Sequence, residues 1–471
     1  MVKIEIPSGA LRILEKLNAH GYEAYVVGGC VRDSLLGRTP GDWDITTSAK
    51  PMEVKAVFKR TIDTGIQHGT VTVMENHEGY EVTTYRIDGE YEDGRHPKSV
   101  DFTSSLLEDL KRRDFTINAM ACDSRGGLVD AFGGMEDLEN GIIRCVGSAV
   151  SRFTEDALRI LRAIRFSAQL GFTIEEETKQ AISLIAPNLE KVSQERIAVE
   201  MTKLLLSDNP ERMKLVYESG AGHFISAQFE RAASMAEERL AAIKNLPAAK
   251  YMRWAGFLRD EPADTAVGIL RDLKMDCDTM DKVRLLVSMW KNGISPEKTA
   301  IRRVMSKVGP MFDSLTAFQE AFADEICFGG TDESVVPEGK LSGEADAATV
   351  PKGKLSVETG ESVVPEESLS VETGATALPK EKLSDDASQD AIPYREILPT
   401  VKTLAEEIRA AGDPLTLKDL AVTGRDLMAY GIKPGPEFGR TLNRMLDMVL
   451  EHPAYNRKDF LLAQCFGPET K

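Results

Sequence analysis

The sequence has little in it that would staple the chain, anchor it to a membrane or coat a polyanion. Its six cysteines (Cys30, Cys122, Cys145, Cys277, Cys327, Cys465) form no C-x-x-C and have no histidine pair nearby. That spacing argues against a zinc knuckle and a disulfide framework, and leaves the thiols as small core residues. No run of eighteen apolar residues occurs, so no bilayer-spanning helix is expected. The opening "MVKIEIPSGALRILEKLNAHGYEAY" also lacks the basic-then-apolar plan of a secretion signal. The expected location is the cytoplasm, with no membrane partner. An excess of positive charge is missing too, since the formal net charge is −17. Indiscriminate binding of nucleic acid, which runs on lysine and arginine, is thereby excluded.

What is present is ample apolar material, 42% of 471 residues, enough for two to four packed domains. The negative charge is unevenly spread. Between Glu333 and Ser388 twelve acids face five lysines, so about −7 of the total sits in one segment. Written in fourteens, that segment reads ESVVPEGKLSGEAD, AATVPKGKLSVETG, ESVVPEESLSVETG and ATALPKEKLSDDAS, with Pro337, Pro351, Pro365 and Pro379 in register. Acidic, proline-punctuated repeats without aromatics cannot bury enough surface to offset chain entropy, and a disordered linker is expected over 331–390. Elsewhere there are basic islands at 110–115 (LKRRDF), 161–166 (LRAIRF) and 300–307 (AIRRVMSK).

The patterning changes along the chain. Residues 9–20 carry Leu11, Ile13, Leu14 and Leu17 at helical spacing before Gly21, predicting a first helix. A strand, glycine turn, helix and strand follow, and "TVTVMENHEGYEVTTYR" (70–86) predicts a β-hairpin around Asn-His-Glu-Gly, with Glu81, Thr83 and Tyr85 on one face. Residues 88–101 lack apolar periodicity and read as a mobile loop. After about residue 147 only helical patterns remain. "TEDALRILRAIRFSAQLGF" (154–172) reads as one helix opening on an N-cap at Thr154. The expected architecture is an α/β head with a mixed β-sheet (1–147), followed by an all-α neck (148–220), body (221–330) and, beyond the repeats, tail (391–471).

Chemistry concentrates in 25–45, "YVVGGCVRDSLLGRTPGDWDI". Asp42 and Asp44 flank Trp43, and strand geometry, with its period of two, would project both carboxylates from one face. Like charges so placed repel, and a divalent cation with hard oxygen ligands, Mg²⁺, resolves the repulsion while keeping waters and phosphates in its shell. Upstream, Gly28 and Gly29 allow a close backbone approach to a polyanion. An Asp-x-Asp alone is commonly a solvated turn and a Gly-Gly commonly a bend, so the order and spacing carry the reading. Glu81 on the hairpin would bring a third carboxylate to the pair. The whole string resembles the signature of the DNA polymerase β-type nucleotidyltransferase superfamily, and within it the class II branch of CCA-adding tRNA nucleotidyltransferases and bacterial poly(A) polymerases.

That resemblance implies attack of an RNA 3′-hydroxyl on the α-phosphate of CTP or ATP, with Asp42 and Asp44 as metal ligands and Glu81 beside them. Arg32, with the glycine turn, would hold the triphosphate tail; an ordinary ion pair with Asp33 is the plainer alternative. "RRDFTINAMA" (112–121) resembles the family's ribose-reading motif, with Asp114 accepting from a 2′-hydroxyl and Arg113 and Asn118 facing the sugar and phosphates. The alternative is that Arg112 and Arg113 balance Glu108 and Asp109. In "EDALRILR", Asp156 and Arg159 stand three apart, a carboxylate acceptor beside a guanidinium donor. Cytosine and adenine both present donor-then-acceptor edges, so such a pair reads C and A and rejects U and G; an i,i+3 salt bridge is the bland alternative. Arg162 either packs or touches RNA. "TGRDLM…GIKPGPEFGRTL" resembles the tail that holds the upper arm of tRNA. "GIQHGTVTV" favours CCA addition over the arginine-rich string of poly(A) polymerases, and the full-length 88–101 loop favours C, C and A over partial CC addition. A catalytically silent RNA-binding or scaffold protein is the alternative of another class.

Overall fold

A computed structural model describes residues 4–88, 100–235, 237–326 and 392–467. The first helix, α1 (Ser8–Ala19), buries Ile13, Leu14 and Leu17 completely. Strand β1 (Ala24–Val27) ends at Gly28, whose φ of 82° is open to glycine at low cost, and the chain turns directly into α2 (Gly29–Leu35). Then come β2 (Ile45–Thr47), α3 (Pro51–Val57), β3 (Thr61–Gly65), β4 (Thr70–Glu75) and β5 (Glu78–Thr84). The β4–β5 hairpin is tighter than the sequence suggests. Its two turn residues, Asn76 and His77, both have positive φ (51° and 69°), and Glu78 already pairs with Glu75.

Two short strands, β6 (Arg86–Asp88) and β7 (Val100–Phe102), pair with each other, and the loop expected between them lies outside the described residues apart from its ends. After α4 (Leu106–Lys111), strands β8 (Met120–Cys122) and β9 (Leu128–Asp130) complete a seven-stranded sheet in the order β3-β4-β5-β2-β1-β8-β9. The sheet is mixed: β2 runs parallel to β5 and the other neighbours are antiparallel. Helix α5 (Gly134–Asn140) closes the head.

From there the chain is essentially helical: α6 (Ala149–Glu155), α7 (Leu158–Leu170), α8 (Glu176–Ile185) and α9 (Gln194–Leu205), then α10 (Met213–Glu218) and α11 (Ala227–Ala233). The succession continues with α12 (Glu237–Ala241), α13 (Lys250–Leu258), α14 (Ala263–Asp272), α15 (Cys277–Met289), α16 (Lys298–Val308) and α17 (Phe312–Ala321). The single helix expected at 154–172 is two. Ser148 caps α6, Thr154 lies inside it, and Asp156 takes an extended conformation (φ −145°, ψ 102°) that ends it before α7 begins. Aromatic contacts fill the helical region, Trp254 against Phe257 at 5.9 Å and Phe318 against Phe322 at 5.0 Å between ring centres.

Helix α18 (Tyr394–Ala411) returns after the repeat segment, followed by α19 (Gly424–Ala429), α20 (Pro436–Glu451) and α21 (Lys458–Phe466). The expectations for 333–388 and Cys327 lie outside the described residues; Cys30, Cys122 and Cys145 are buried, Cys465 is half-buried and Cys277 is exposed. The flanks of the repeat segment are informative. Asp324 and Arg395 form an ion pair at 2.8 Å across it, and fully buried Tyr394 donates to Gln319 Oε1 at 2.9 Å and accepts from the Ile294 amide at 3.1 Å. The chain therefore leaves and re-enters the body at one place. Packing of α18, and not the length of the repeats, sets the distance to the tail. One continuous core runs from Ile4 to Ile408, and a smaller one, from Leu420 to Leu462, belongs to the tail.

Candidate active site

Asp42 and Asp44 stand just before β2 and not on it, both exposed. The Asp44 carbonyl accepts from the Val27 amide at 3.0 Å, so this segment extends the sheet beside β1. Although Asp44 as a residue keeps solvent-exposed surface, loss of hydration around its carboxyl raises it to about 6, the Asp42 charge and, less strongly, Glu81 add to it, and Arg113 opposes them. The two carboxylates are thus within electrostatic reach of each other, although neither lies on the strand expected to carry them. Glu81 directly precedes Val82, the partner of Ile45, so it lies across the parallel ladder from Asp44. Yet no three His, Cys, Asp or Glu side chains among the described residues form a group able to hold a metal. The expected third carboxylate is near in charge but not gathered into the pair.

Arg113 lies over the glycine turn. A Cβ on Gly28 would come to 3.0 Å from Arg113 Nη1 and crowd that guanidinium, and the positive φ of 82° already favours glycine there. Arg32 is buried and spans Asp33 (2.9 Å to both carboxylate oxygens) and Asn118 Oδ1 (2.6 Å). The ion pair with Asp33 is real, but it belongs to an internal chain: Asn118 Nδ2 donates to Asp114 Oδ1 at 3.1 Å, and Arg162 grips Asp114 Oδ2 through Nε (2.8 Å) and Nη2 (2.5 Å). The Phe115 amide also donates to Asp114 Oδ1, at 2.9 Å. Burial pushes the Asp114 carboxyl up, and Arg162, Asn118 and Arg159 together outweigh it and hold it well below the usual carboxylate range. Asp114 is therefore supplied with donors from Phe115, Asn118 and Arg162, which it holds together.

The turn at 156–159 differs most from expectation. Asp156 and Arg159 do not share a helical face and do not pair. Asp156 Oδ1 accepts from the Leu158 amide at 3.1 Å and Oδ2 from Arg196 at 2.7 Å, while Arg159 binds Glu155 at 2.6 Å and the backbone oxygens of Arg152 and Arg112 at 3.1 Å each. The bland i,i+3 salt bridge is absent. Each side chain is held by a different partner, leaving the carboxylate with further acceptor capacity. The Arg112 carbonyl and Asp114 tie this turn to the 112–118 segment, so the two motifs are neighbours.

Sequence reasoning missed three contributors. Arg196 and Glu200 stand four apart on α9; Glu200 binds Arg165 at 2.5 Å, and Arg196 fixes Asp156. Phe166 lies under three guanidiniums, Arg165, Arg32 and Arg162, at 3.7, 4.9 and 5.4 Å from its centre. The signal available was an acid, Glu200, in register with the apolar positions Ile197, Met201 and Leu204 of its helix. The basic islands are likewise used internally: Arg112 and Arg113 bind Asp109, Arg162 and Arg165 bind Asp114 and Glu200, Arg303 binds Glu451, and Arg302 is buried.

Comparison with known proteins agrees with this architecture. Residues 24–144 match the poly A polymerase head domain, 171–230 a probable RNA and SrmB binding site of polymerase A, and 374–465 a putative tRNA nucleotidyltransferase domain 2. The chain is 52% identical over 249 residues to a CCA-adding enzyme of Geobacillus thermodenitrificans, covering 52% of this chain and 61% of that one, less than two-thirds of the relative. With the CCA-adding enzyme of Geobacillus stearothermophilus it shares 50% over 291 residues, 61% of this chain and 71% of the relative. The crystal structure of the Bacillus stearothermophilus CCA-adding enzyme in complex with CTP superposes with a TM-score of 0.72 at 31% identity, covering 97% of both chains. On these grounds the chain belongs to the CCA-adding enzyme family of tRNA nucleotidyltransferases.

Proposed function

We propose that this protein adds C, C and A to the 3′ end of tRNA from CTP and ATP, without a nucleic-acid template and with release of pyrophosphate, in the cytoplasm. The observation that carries the reading is the adjacency of two differently built clusters. A carboxylate pair lies beside a glycine turn overhung by Arg113, and the Asp156–Arg159 turn is bonded to the same 112–118 segment.

The donor set fits a hard cation. Asp42 and Asp44 offer only oxygen, and two protein ligands suit an ion such as Mg²⁺ that retains waters and substrate phosphates. When bound there, such an ion stabilises negative charge on phosphate oxygens and lowers the pKa of a bound hydroxyl. The chain's own residues bind and orient. Arg113, with the glycine turn and the Arg32–Asn118 pair behind it, receives the triphosphate, and positioning together with fixed charge does most of such a transfer. Asp156 accepts from the exocyclic amino group of cytosine or adenine while Arg159 donates to the adjacent ring nitrogen. Uracil and guanine would set donor against donor and acceptor against acceptor, leaving buried polar groups unpaired. Arg196 and Glu155 hold the two reading groups in place, and Arg162 serves by binding Asp114.

In the tail, Arg425, Lys433, Arg440 and Arg444 are exposed and form no ion pair among the described residues. They support docking of the upper arm of tRNA through its phosphates. The test supplies purified protein with tRNA lacking its 3′ end, Mg²⁺ and each labelled nucleotide separately. Uptake of CTP, then ATP, with a stop after three additions is expected. Runs of adenylate would assign poly(A) polymerase activity, and a stop after two C would assign a partial enzyme.

A further inference from the structure

One fully buried carboxylate close to the site has no part in the chemistry described so far. Asp109, on α4, has no exposed surface, and it gathers donors from three other places. Thr46 Oγ1, on β2 two residues after Asp44, donates to Oδ2 at 3.0 Å. The amide of Arg86, where β6 begins, approaches Oδ1 at 3.4 Å. Arg112 donates to Oδ1 through Nε (3.0 Å) and Nη2 (2.8 Å), and Arg113 Nη2 reaches Oδ2 at 3.5 Å. Burial works against the charge on Asp109, and Arg112 and Arg113 overcome it, so the group stays ionised.

Packing alone does not account for this arrangement. An apolar side chain of similar volume would fill the same space without the cost of desolvating a carboxylate. The guanidinium it holds is also unusual. Among the described residues Asp109 is the hydrogen-bond partner of Arg113; Arg113 Nε is buried with none, and Nη1 overhangs the Gly28 turn beside Asp44. One edge of the guanidinium is thus tied back to Asp109 and the rest is left for an anion arriving at the glycine turn.

We propose that Asp109 is a positioning residue for nucleotide binding, acting through Arg113. It fixes how far the guanidinium reaches over Gly28–Gly29 and ties that reach to β2, the strand led by Asp44. This rests on the nucleotidyl-transfer reading above, with the triphosphate of CTP or ATP as the anion. Because every nucleotide presents the same triphosphate, the effect is the same for both substrates and leaves base choice alone.

The experiment compares the unaltered full chain with Asp109→Asn, Arg113→Ala and the double variant, measuring KM and kcat for CTP and ATP, CTP affinity by calorimetry, and thermal midpoint. Asp109→Asn is expected to raise both KM values about tenfold, equivalent to ~1.4 kcal/mol, with kcat within about threefold and the C-then-A order intact. The double variant is expected to be no worse than Arg113→Ala, because a residue that acts only through another adds nothing once the other is gone. Multiplying effects, or a fall in thermal midpoint with KM unchanged, would overturn the proposal. Should Asp109→Asn not fold, Thr46→Val takes its place: it frees one side of the carboxylate and is expected to raise KM about threefold, again only when Arg113 is present. Failure of the parent reading looks different, since the unaltered chain would then transfer no nucleotide, while calorimetry would still report whether Asp109 governs CTP affinity.

Discussion

The seam between head and neck and the seam between body and tail both turn on arginines, and they use them in different ways. At the first, Arg162 on α7 faces Asp114 of the head, and behind it Arg165 of α7 faces Glu200 of α9 while Arg196 of α9 faces Asp156, so one ion pair crosses the seam and two brace it from the helical side. At the second, Arg302 on α16 donates mainly to the end of a helix: the Leu450 and Glu451 carbonyls of α20 at 2.7 and 3.0 Å, with Asp413 at 3.0 Å. Unpaired carbonyls at a helix C-terminus attract a cation, and this one fastens the tail to the body. The contrast teaches where ligands are to be sought. Side-chain ion pairs predominate around the 156–159 turn, whereas carbonyl capping predominates where the tail joins the body.

The largest effect that would sharpen this contrast is expected from Asp42→Ala. It should lower nucleotide transfer by about a thousandfold or more, as loss of fixed transition-state charge does, while tRNA binding and thermal midpoint stay put. Next in size is Arg162→Ala, which leaves Asp114 buried without its main partner and should cost about 3–5 kcal/mol of stability in denaturant unfolding. Its pH dependence has a definite sign. The Asp114 carboxyl is held low in the folded chain, so the advantage of the unaltered protein over the variant is complete above about pH 4, the ordinary aspartate value, and shrinks on acidification below it.

Arg302→Ala should act more weakly and on the other seam: about 1–3 kcal/mol lost, with tRNA affinity reduced and CTP affinity unchanged. Asp44→Asn tests the carboxylate pair by stability alone. Because the folded Asp44 carboxyl is raised to about 6, its stabilising effect is full below the unfolded value and lost as pH rises through 6. In chelator the variant should therefore melt above the unaltered chain at pH 7 and level with it near pH 4. Smallest of all is deletion of 333–388. The Asp324–Arg395 pair and Tyr394 hold the flanks together, so transfer rates should stay within about twofold of the unaltered chain, as expected for a loop whose length costs little.

Legibility followed the range of the interactions. The glycine turn and the Asp42–Asp44 pair are local, and they could be read because φ preference and like-charge repulsion act over a few residues. The break at Asp156 is local too, but the apolar period of 158–170 masks it: an aspartate that accepts from the amide two residues on competes with the helix. The partners of Asp114, Asp156 and Arg159 were not legible, because Arg162, Arg196 and the Arg112 carbonyl reach them only through the packing of α7 and α9 on the head. For the same reason the use of the basic islands at 110–115, 161–166 and 300–307 is not legible in the sequence: most of their arginines are tied to buried acids or carbonyls.

The most direct test of the claim that protein side chains choose the base is competition among all four labelled nucleoside triphosphates on trimmed tRNA, with Asp156→Ala and Arg159→Ala beside the unaltered chain. The unaltered chain is expected to take C and A alone, and both variants to lose this discrimination while still forming phosphodiester bonds. Variants that slow down but keep the same preference for C and A would contradict that claim.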